Sequence, residues 1–452
     1  MLAVKNVDWF KKARQQASRL GSQRVRVGVT GLSGAGKTSF ITSLINQLEN
    51  HQRGLLARRK PFDRLESVRW QREGVEQPFA YLQALAALAG NPAEWPSSTT
   101  DLSRVIIDLQ FRPKGLLGKL QGQRQVRLEL LDYPGEWLLD LPLLGLSYGQ
   151  WSEQMAALLE QEPRHSLAGP LRERLLAIDP GAACESEALL SLTQDWTAFL
   201  HACRNEAGLS RNQPGRVVLA GSGIAAEMLL FVPLLAANQY SQGEPGSWWA
   251  TCEARFDYYR DYIVRGFYDQ HFSRLDRQVL LVDMLAPMEA GQAALADLQK
   301  ALEQVLGSFR YGQNSLFQRL FKPRIGRMAV CATKVDQVAP GDQRALQQCL
   351  EDLITDSLSE VRHGGVQVRG FPVAAVRAAE QDGDTMIAGL KGQTSMVRYR
   401  PVQLPRHLPL DLKLEGPRLL HLRPPAGLHR NEPFPHYRMD DLVDWMLEDT
   451  LA

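Results

Sequence analysis

Apolar and polar positions first alternate and then cycle along the opening third of the chain, predicting strand, loop and helix in turn. Arg24 to Thr30 (RVRVGVT) alternates with a period of two and reads as a buried strand. From Ser39 to Asn50, Phe40, Ile41, Leu44, Ile45 and Leu48 recur at helical spacing and predict an amphipathic helix. Upstream, Val4, Trp9, Phe10, Ala13 and Leu20 predict another amphipathic helix over 1–19. Gln77 to Gly90 reads as a helix, with Pro78 near its start and Gly90 at its end. Arg104 to Phe111 and Gln125 to Leu131 read as two strands joined by a short turn region, hence an antiparallel hairpin.

The pattern changes after residue 135. Leucine-rich helical stretches fill 136–147, 151–161, 168–177, 186–204, 224–237 and 247–275, with only Arg216 to Ala220 resembling a strand. At about 140 residues this stretch has the size of a domain. Strand signals return at Gln278–Asp283 and Arg327–Ala332, whose continuous apolar runs suit strands buried on both faces. Helices are predicted over 291–309 and 342–359, a last strand over 366–376 and a terminal helix over 439–451. Residues 383–435, rich in Pro, Gly and Arg, give no clear element. Strands alternating with helices imply an α/β fold with a mostly parallel sheet, helices on both faces and a large α-helical insertion. The expected organisation is a discontinuous core over 20–135 and 276–452, a small, mostly helical insertion at 51–94 within it, and the helical insertion at 136–275.

Composition narrows the function classes. The 452 residues carry a net charge of +2, too balanced for a general nucleic-acid binder. No apolar run approaches the roughly 18 residues that span a bilayer, and no signal peptide is evident. Five scattered cysteines without CxxC spacing argue for a reducing compartment and against a zinc site. The expectation is a cytoplasmic protein, possibly peripheral to the inner membrane, with an unknown protein partner. Interleaved charges over 54–73, and the basic tract from Arg398 to Arg430, read first as solvated surface.

Gly31-Leu-Ser-Gly-Ala-Gly-Lys-Thr38 fits the phosphate-binding pattern G-x-x-x-x-G-K-[ST], between a predicted strand and a predicted helix. Triphosphate oxygens need several converging N–H donors, and side chains on that loop would block them. Ser33, Gly34, Ala35, Gly36, Lys37, Thr38 and Ser39 would line the phosphates. Lys37 would hold β and γ oxygens, and Thr38 would ligate Mg²⁺. Asp132 follows the second hairpin strand and could hold a water on that ion, while Gly135 could offer its N–H to the γ-phosphate. Thr99 or Thr100 could reach Mg²⁺ as well, from a loop that includes Ser98. Trp95 could pack against the nucleotide, although a core tryptophan is the commoner reading.

Thr333-Lys-Val-Asp336 discriminates between bases. The Asp336 carboxylate can accept from N1 and the 2-amino group of guanine, a pair adenine lacks, and the Lys334 stem can lie along the base. These motifs, in this order, resemble Ras-like GTPases, and the resemblance implies a final base loop to which Ala375 and Val376 would contribute backbone. DYPGEWLLDLPLL and HFSRLDRQVLLVDML resemble the YcjX-like family of bacterial P-loop proteins over most of the chain. That resemblance implies a GTP-binding protein associated with stress responses. Two positions depart from the Ras-like pattern: Thr333 stands where Asn is usual, and Glu136 where a water-orienting Gln often stands. Glu136 beside a γ-phosphate suggests slow turnover or help from another residue; Arg104, Arg274 and Arg277 are candidates by chain position alone. Three readings remain open: a GTPase switch, a nucleotide-binding scaffold with negligible catalysis, and a P-loop kinase or ATPase.

Overall fold

The computed structural model describes residues 23–32, 34–60, 62–71, 74–97, 101–112, 124–217, 229–235, 243–310, 325–401, 404 and 419–451. The helix expected over 1–19 and parts of the stretches 216–220, 224–237 and 383–435 lie outside these residues. In chain order the first elements are β1 (Gln23–Gly31), α1 (Lys37–Glu49), β2 (Leu65–Trp70), α2 (Tyr81–Leu88), β3 (Ser103–Phe111) and β4 (Arg124–Asp132). Helices α3 (Glu136–Asp140), α4 (Tyr148–Leu159), α5 (Arg164–Leu176), α6 (Ser186–Asn205), α7 (Trp248–Tyr258) and α8 (Arg265–Gln270) follow, the last two joined by a π-helical turn at Tyr259–Val264. Then come β5 (Arg277–Val282), α9 (Leu285–Ala290), α10 (Gln292–Gly307), β6 (Arg327–Ala332), α11 (Gln343–Leu353), α12 (Thr355–His363) and β7 (Gln367–Pro372). Three short strands, β8 (Ala379–Asp382), β9 (Thr385–Gly389) and β10 (Met396–Tyr399), precede the last helix, α13 (Met439–Leu451).

The main sheet runs β2-β3-β4-β1-β5-β6-β7. Strands β4, β1, β5, β6 and β7 are parallel, and β3 is antiparallel to both its neighbours. The expected hairpin is therefore present, and the sheet is mostly parallel. Every residue of β6 is buried, which explains its unbroken apolar run. In β3, Val105, Ile107, Leu109 and Phe111 face one side and are buried, so its alternation marks a strand covered on one face.

Two apolar clusters lie against the two faces. One joins that side of β3 to α1, α2 and α13 through Phe40, Leu44, Leu85, Leu442 and Met446. The other joins Leu280, Val282 and Val330 to the helices following β4 and to α10, α11 and α12. Helices α3 to α8 thus share a cluster with the sheet itself.

Among its described residues the segment 51–94 contains one helix and two 3-10 turns, and also a strand that its pattern did not predict: edge strand β2, paired with β3 from Leu65↔Phe111 to Trp70↔Ile107. Of its interleaved charges, Glu66 and Arg69 lie on that edge strand and are exposed. The predicted helix at 342–359 is two helices that meet at Ile354.

Two buried carboxylates tie the helices after β4 together. Asp297 of α10 accepts from Arg164 of α5 and from Arg211, each at 2.9 Å, and from the backbone N–H groups of Ser210 and Arg211. Burial opposes its charge, but the two guanidinium groups and the amides outweigh burial and hold its carboxyl below the usual range. Asp140, ending α3, accepts from the Gly215 N–H at 2.8 Å and from the Tyr259 hydroxyl. Here burial wins and pushes the carboxyl up to about 6.

Replacing Asp297 with Ala strands the buried Arg164 charge, so Asp297→Ala should cost about 3 kcal/mol or more, read from the midpoint of a urea melt. Asp140 gives a second expectation. Its unfolded pKa is roughly 3.9. Between about pH 4 and 6 the native state therefore keeps a proton that the unfolded chain has released. Stability from this group should fall as pH rises across that window and level off above it. Asp140→Asn should remove that slope; urea midpoints at pH 4.5 and 7 for both proteins are the check.

Candidate nucleotide site

Strands β1, β4, β5 and β6 are parallel, so their C-terminal ends share one edge of the sheet, where an open α/β sheet presents its ligand site. The glycine loop leaves β1 there. Gly34 (φ 78°) and Gly36 (φ 81°) occupy the left-handed region that an L side chain rarely adopts. Lys37 opens α1 and donates from Nζ to the Gly31 carbonyl at 2.8 Å. The Thr38 hydroxyl donates to the Ser97 carbonyl at 3.3 Å, bringing the loop after Trp95 onto the start of α1.

The loop after β4 packs against the glycine loop, backbone on backbone. A Cβ at Gly135 would lie 2.7 Å from both the carbonyl carbon and oxygen of Gly31. Thr30 Oγ1 donates to the Tyr133 carbonyl at 3.2 Å, a second tie between the two loops. Asp132 ends β4 fully buried, with Ser103 Oγ 3.5 Å from its Oδ2.

Two aspartates complete the edge. Asp283, directly after β5, accepts Lys334 Nζ at 2.6 Å and the Leu285 N–H at 3.0 Å. Lys334 adopts φ 58°, which turns the chain sharply after β6. Thr333, in the position where Asn is usual, donates from Oγ1 to the Val282 carbonyl at 3.2 Å and so ties the end of β6 to β5. Asp336 is buried and accepts on Oδ2 from the N–H groups of Ala378, at 2.7 Å, and Ala379, at 3.3 Å. Burial pushes its carboxyl up, while the amide N–H groups pull against that. The base loop is held from both sides: Ser43 Oγ donates to the Ala375 carbonyl, and Ala374 pairs with Tyr437.

A cavity of about 350 Å³ lies between the glycine loop, the residues after β5 and β6 and the base loop, at the lower end of the roughly 300–1,000 Å³ usual for ligand sites; Asp132 and Gly135 do not line it. Gly34, Ala35, Gly36, Lys37, Thr38, Ser39, Trp95, Lys334, Asp336, Ala375 and Val376 all line it. Trp95 is a wall residue rather than a core one: it is 36% exposed and donates from Nε1 to the Leu422 carbonyl at 2.7 Å. Ser33, Ser98, Thr99 and Thr100 lie outside the described residues. Glu136 lines a neighbouring cavity instead.

Sequence reasoning missed part of the wall. Asp283 ends a predicted strand just as Asp132 does, and that shared position was the signal available. Lys391, His421 and Leu422 come from the Pro- and Gly-rich C-terminal stretch, whose local pattern carries no such signal.

Among the described residues no group of three or more His, Cys, Asp or Glu could hold a metal ion. Thr38 and Asp132 are hard oxygen donors of the kind that serves Mg²⁺ when phosphates and waters supply its other ligands. No helix among the described residues is long and apolar enough to cross a membrane.

The sheet, its glycine loop and this edge define the class: an α/β protein whose architecture is compatible with P-loop NTPases. The chain belongs to the YcjX-like family, DUF463, whose model matches residues 25–451. It is similar to the protein named Ras-like GTPase YcjX of Escherichia coli K12, at 37% identity over 79% of this chain and 78% of that relative. It is also similar to the protein of the same name from Shewanella oneidensis, at 34% identity over 98% of this chain and 97% of that relative.

Because Gly135 has no room for a side chain, Gly135→Ala should force the two loops apart. The expected result is a loss of nucleotide affinity of about tenfold or more with the helical circular-dichroism signal intact. Unchanged affinity for fluorescent GDP would show that the contact does not support the site.

Proposed function

We propose that the chain binds guanine nucleotide in the 350 Å³ cavity and hydrolyses GTP to GDP and phosphate, acting as a nucleotide-controlled switch. One observation carries the reading: loop residues 34–39, Lys334, Asp336 and the base-loop backbone at Ala375 and Val376 line a single cavity. The glycine-loop amides and Lys37 bind the phosphate chain and stabilise negative charge developing on the transferred group. Thr38 and Asp132 would hold Mg²⁺, with Thr99 a further candidate ligand, and the ion would neutralise charge developing on the phosphate oxygens. Gly135 donates its N–H to the γ-phosphate, and Glu136 follows it in the chain.

Guanine selection rests on Asp336. It is buried beside the base loop, so a base unable to donate to it leaves a buried carboxylate without that partner, a costly outcome. Its bonds to Ala378 and Ala379 fix the carboxylate in place. The helical stretch 136–275 reads the state of the loop it follows, because α3 continues directly from Gly135. The same reading extends to a stress-associated role in the cytoplasm, with a protein partner and possible contact with the inner membrane.

The test is binding of fluorescent GDP and ADP with Mg²⁺, then phosphate release from GTP. Tight guanine-selective binding with release supports the switch. Selective binding without release supports the scaffold reading. Asp336→Asn should reduce the preference for GDP over ADP by about tenfold or more. If the preference survives the substitution, Asp336 does not read the base.

A further inference from the structure

A second cavity, of about 310 Å³, shares Asp283 and Ala286 with the wall of the nucleotide cavity and touches the glycine loop at Leu32. Its wall carries charged and polar side chains. Glu136 enters from α3, and its side chain is only 8% exposed. Arg204, from the last turn of α6, comes within 3.9 Å of the Glu136 carboxylate. Asn212 is 4% exposed; its Nδ2 donates to the Leu209 carbonyl at 2.9 Å, and its buried Oδ1 has no hydrogen-bond partner among the described residues. A water is stable in such a place when two to four polar groups can reach it.

We propose that this cavity admits the water that attacks the γ-phosphate, with Glu136 receiving its proton and Arg204 acting as the positioning residue that holds the Glu136 carboxylate. This rests on the GTPase reading above. In the step, the water oxygen bonds to the γ-phosphorus and the bond from that phosphorus to the β,γ-bridging oxygen breaks. The electron pair stays with GDP, and the water proton passes to Glu136 and then to solvent. A bare carboxylate beside a triphosphate is repelled by it. The Arg204 guanidinium offsets that repulsion, which explains how Glu can stand where an uncharged Gln is common in Ras-like enzymes. The cation comes from α6, some seventy residues beyond the loop it serves, so its role could not be read from chain position.

The experiment compares wild type, Arg204→Ala, Arg204→Lys, Glu136→Gln and the double variant Glu136→Gln/Arg204→Ala, all as the full chain. GDP binding is measured first, then single-turnover phosphate release. Arg204→Ala should bind GDP within about twofold of wild type and release phosphate about tenfold or more slowly. Arg204→Lys should recover part of the rate. In the Glu136→Gln background, removing Arg204 should change the rate little, because the carboxylate it holds is gone. Equal losses in both backgrounds, or a wild-type rate in Arg204→Ala, overturn the assignment. If Arg204→Ala does not fold, Arg204→Lys decides the matter alone: a rate no better than that of Glu136→Gln overturns it. Wild-type protein that binds GDP without releasing phosphate instead sinks the hydrolysis reading, before any variant is compared.

Discussion

The site depends on one close approach: Gly135 against Gly31, with no space for a carbon between them. A phosphate cradle made of backbone N–H groups has little intrinsic rigidity, since its glycines carry the largest conformational freedom of any residue. Something outside the loop must fix it. Here the loop after β4 lies against it, the Thr30 hydroxyl is bonded to the Tyr133 carbonyl, and the Lys37 ammonium is bonded to the Gly31 carbonyl. The same contact makes the two loops mechanically inseparable. A shift of the loop at 133–135 moves the glycine loop, and the reverse holds.

Charge placement along the strand edge follows a similar economy of partners. Lys334 and Asp283 neutralise each other at 2.6 Å between the glycine loop and the base loop. Asp336 is buried, which disfavours its charge, yet two backbone N–H groups from the turn into β8 compensate. The Asp336 carboxylate is thereby the anchor of the segment that forms part of the cavity wall. Bonds of this kind keep its side chain from swinging away from the cavity it lines.

Sequence patterns revealed the elements whose side chains face a core on a regular period. Strand β3 alternates because one face is covered, β6 is wholly apolar because both are, and α1 follows the glycines at once. The motifs at 31–38, 132–135 and 333–336 were legible because each ends a strand with that kind of signature. Strand β2 was not, because an edge strand with polar residues on both sides has the same composition as a solvated loop. The wall at His421 and Leu422 was not either, because its position follows from long-range pairings such as Lys391 N–H to the His421 carbonyl. The three-stranded sheet β8-β9-β10 is made of sequence-adjacent hairpins, but its strands of 4, 5 and 4 residues are too short to show a period. Arg204 belongs to this second group: an arginine in the last turn of an amphipathic helix is ordinary surface until the fold carries it to Glu136.

The helices after β4 start where the loop that contacts Gly31 stops. Trp137, Leu138 and Leu139 of α3 are buried in the same cluster as Phe267, and Arg216 lies 3.6 Å above the Trp137 ring. Asp140, the last residue of α3, is locked to Gly215 and Tyr259. A helix of five residues gripped on every side cannot absorb a displacement at its first residue by bending; packed cores pass such shifts on. A movement of Gly135 would therefore reach the turn at 214–216 and the π-helical turn at 259–264 directly. The turn at 259–264 is π-helical, so its bonding departs from the regular ladder of the helix on either side. Static contacts thus run without a gap from the loop beside Gly31, through buried α3, to the turns at 214–216 and 259–264, with Asp140 bonded to both turns.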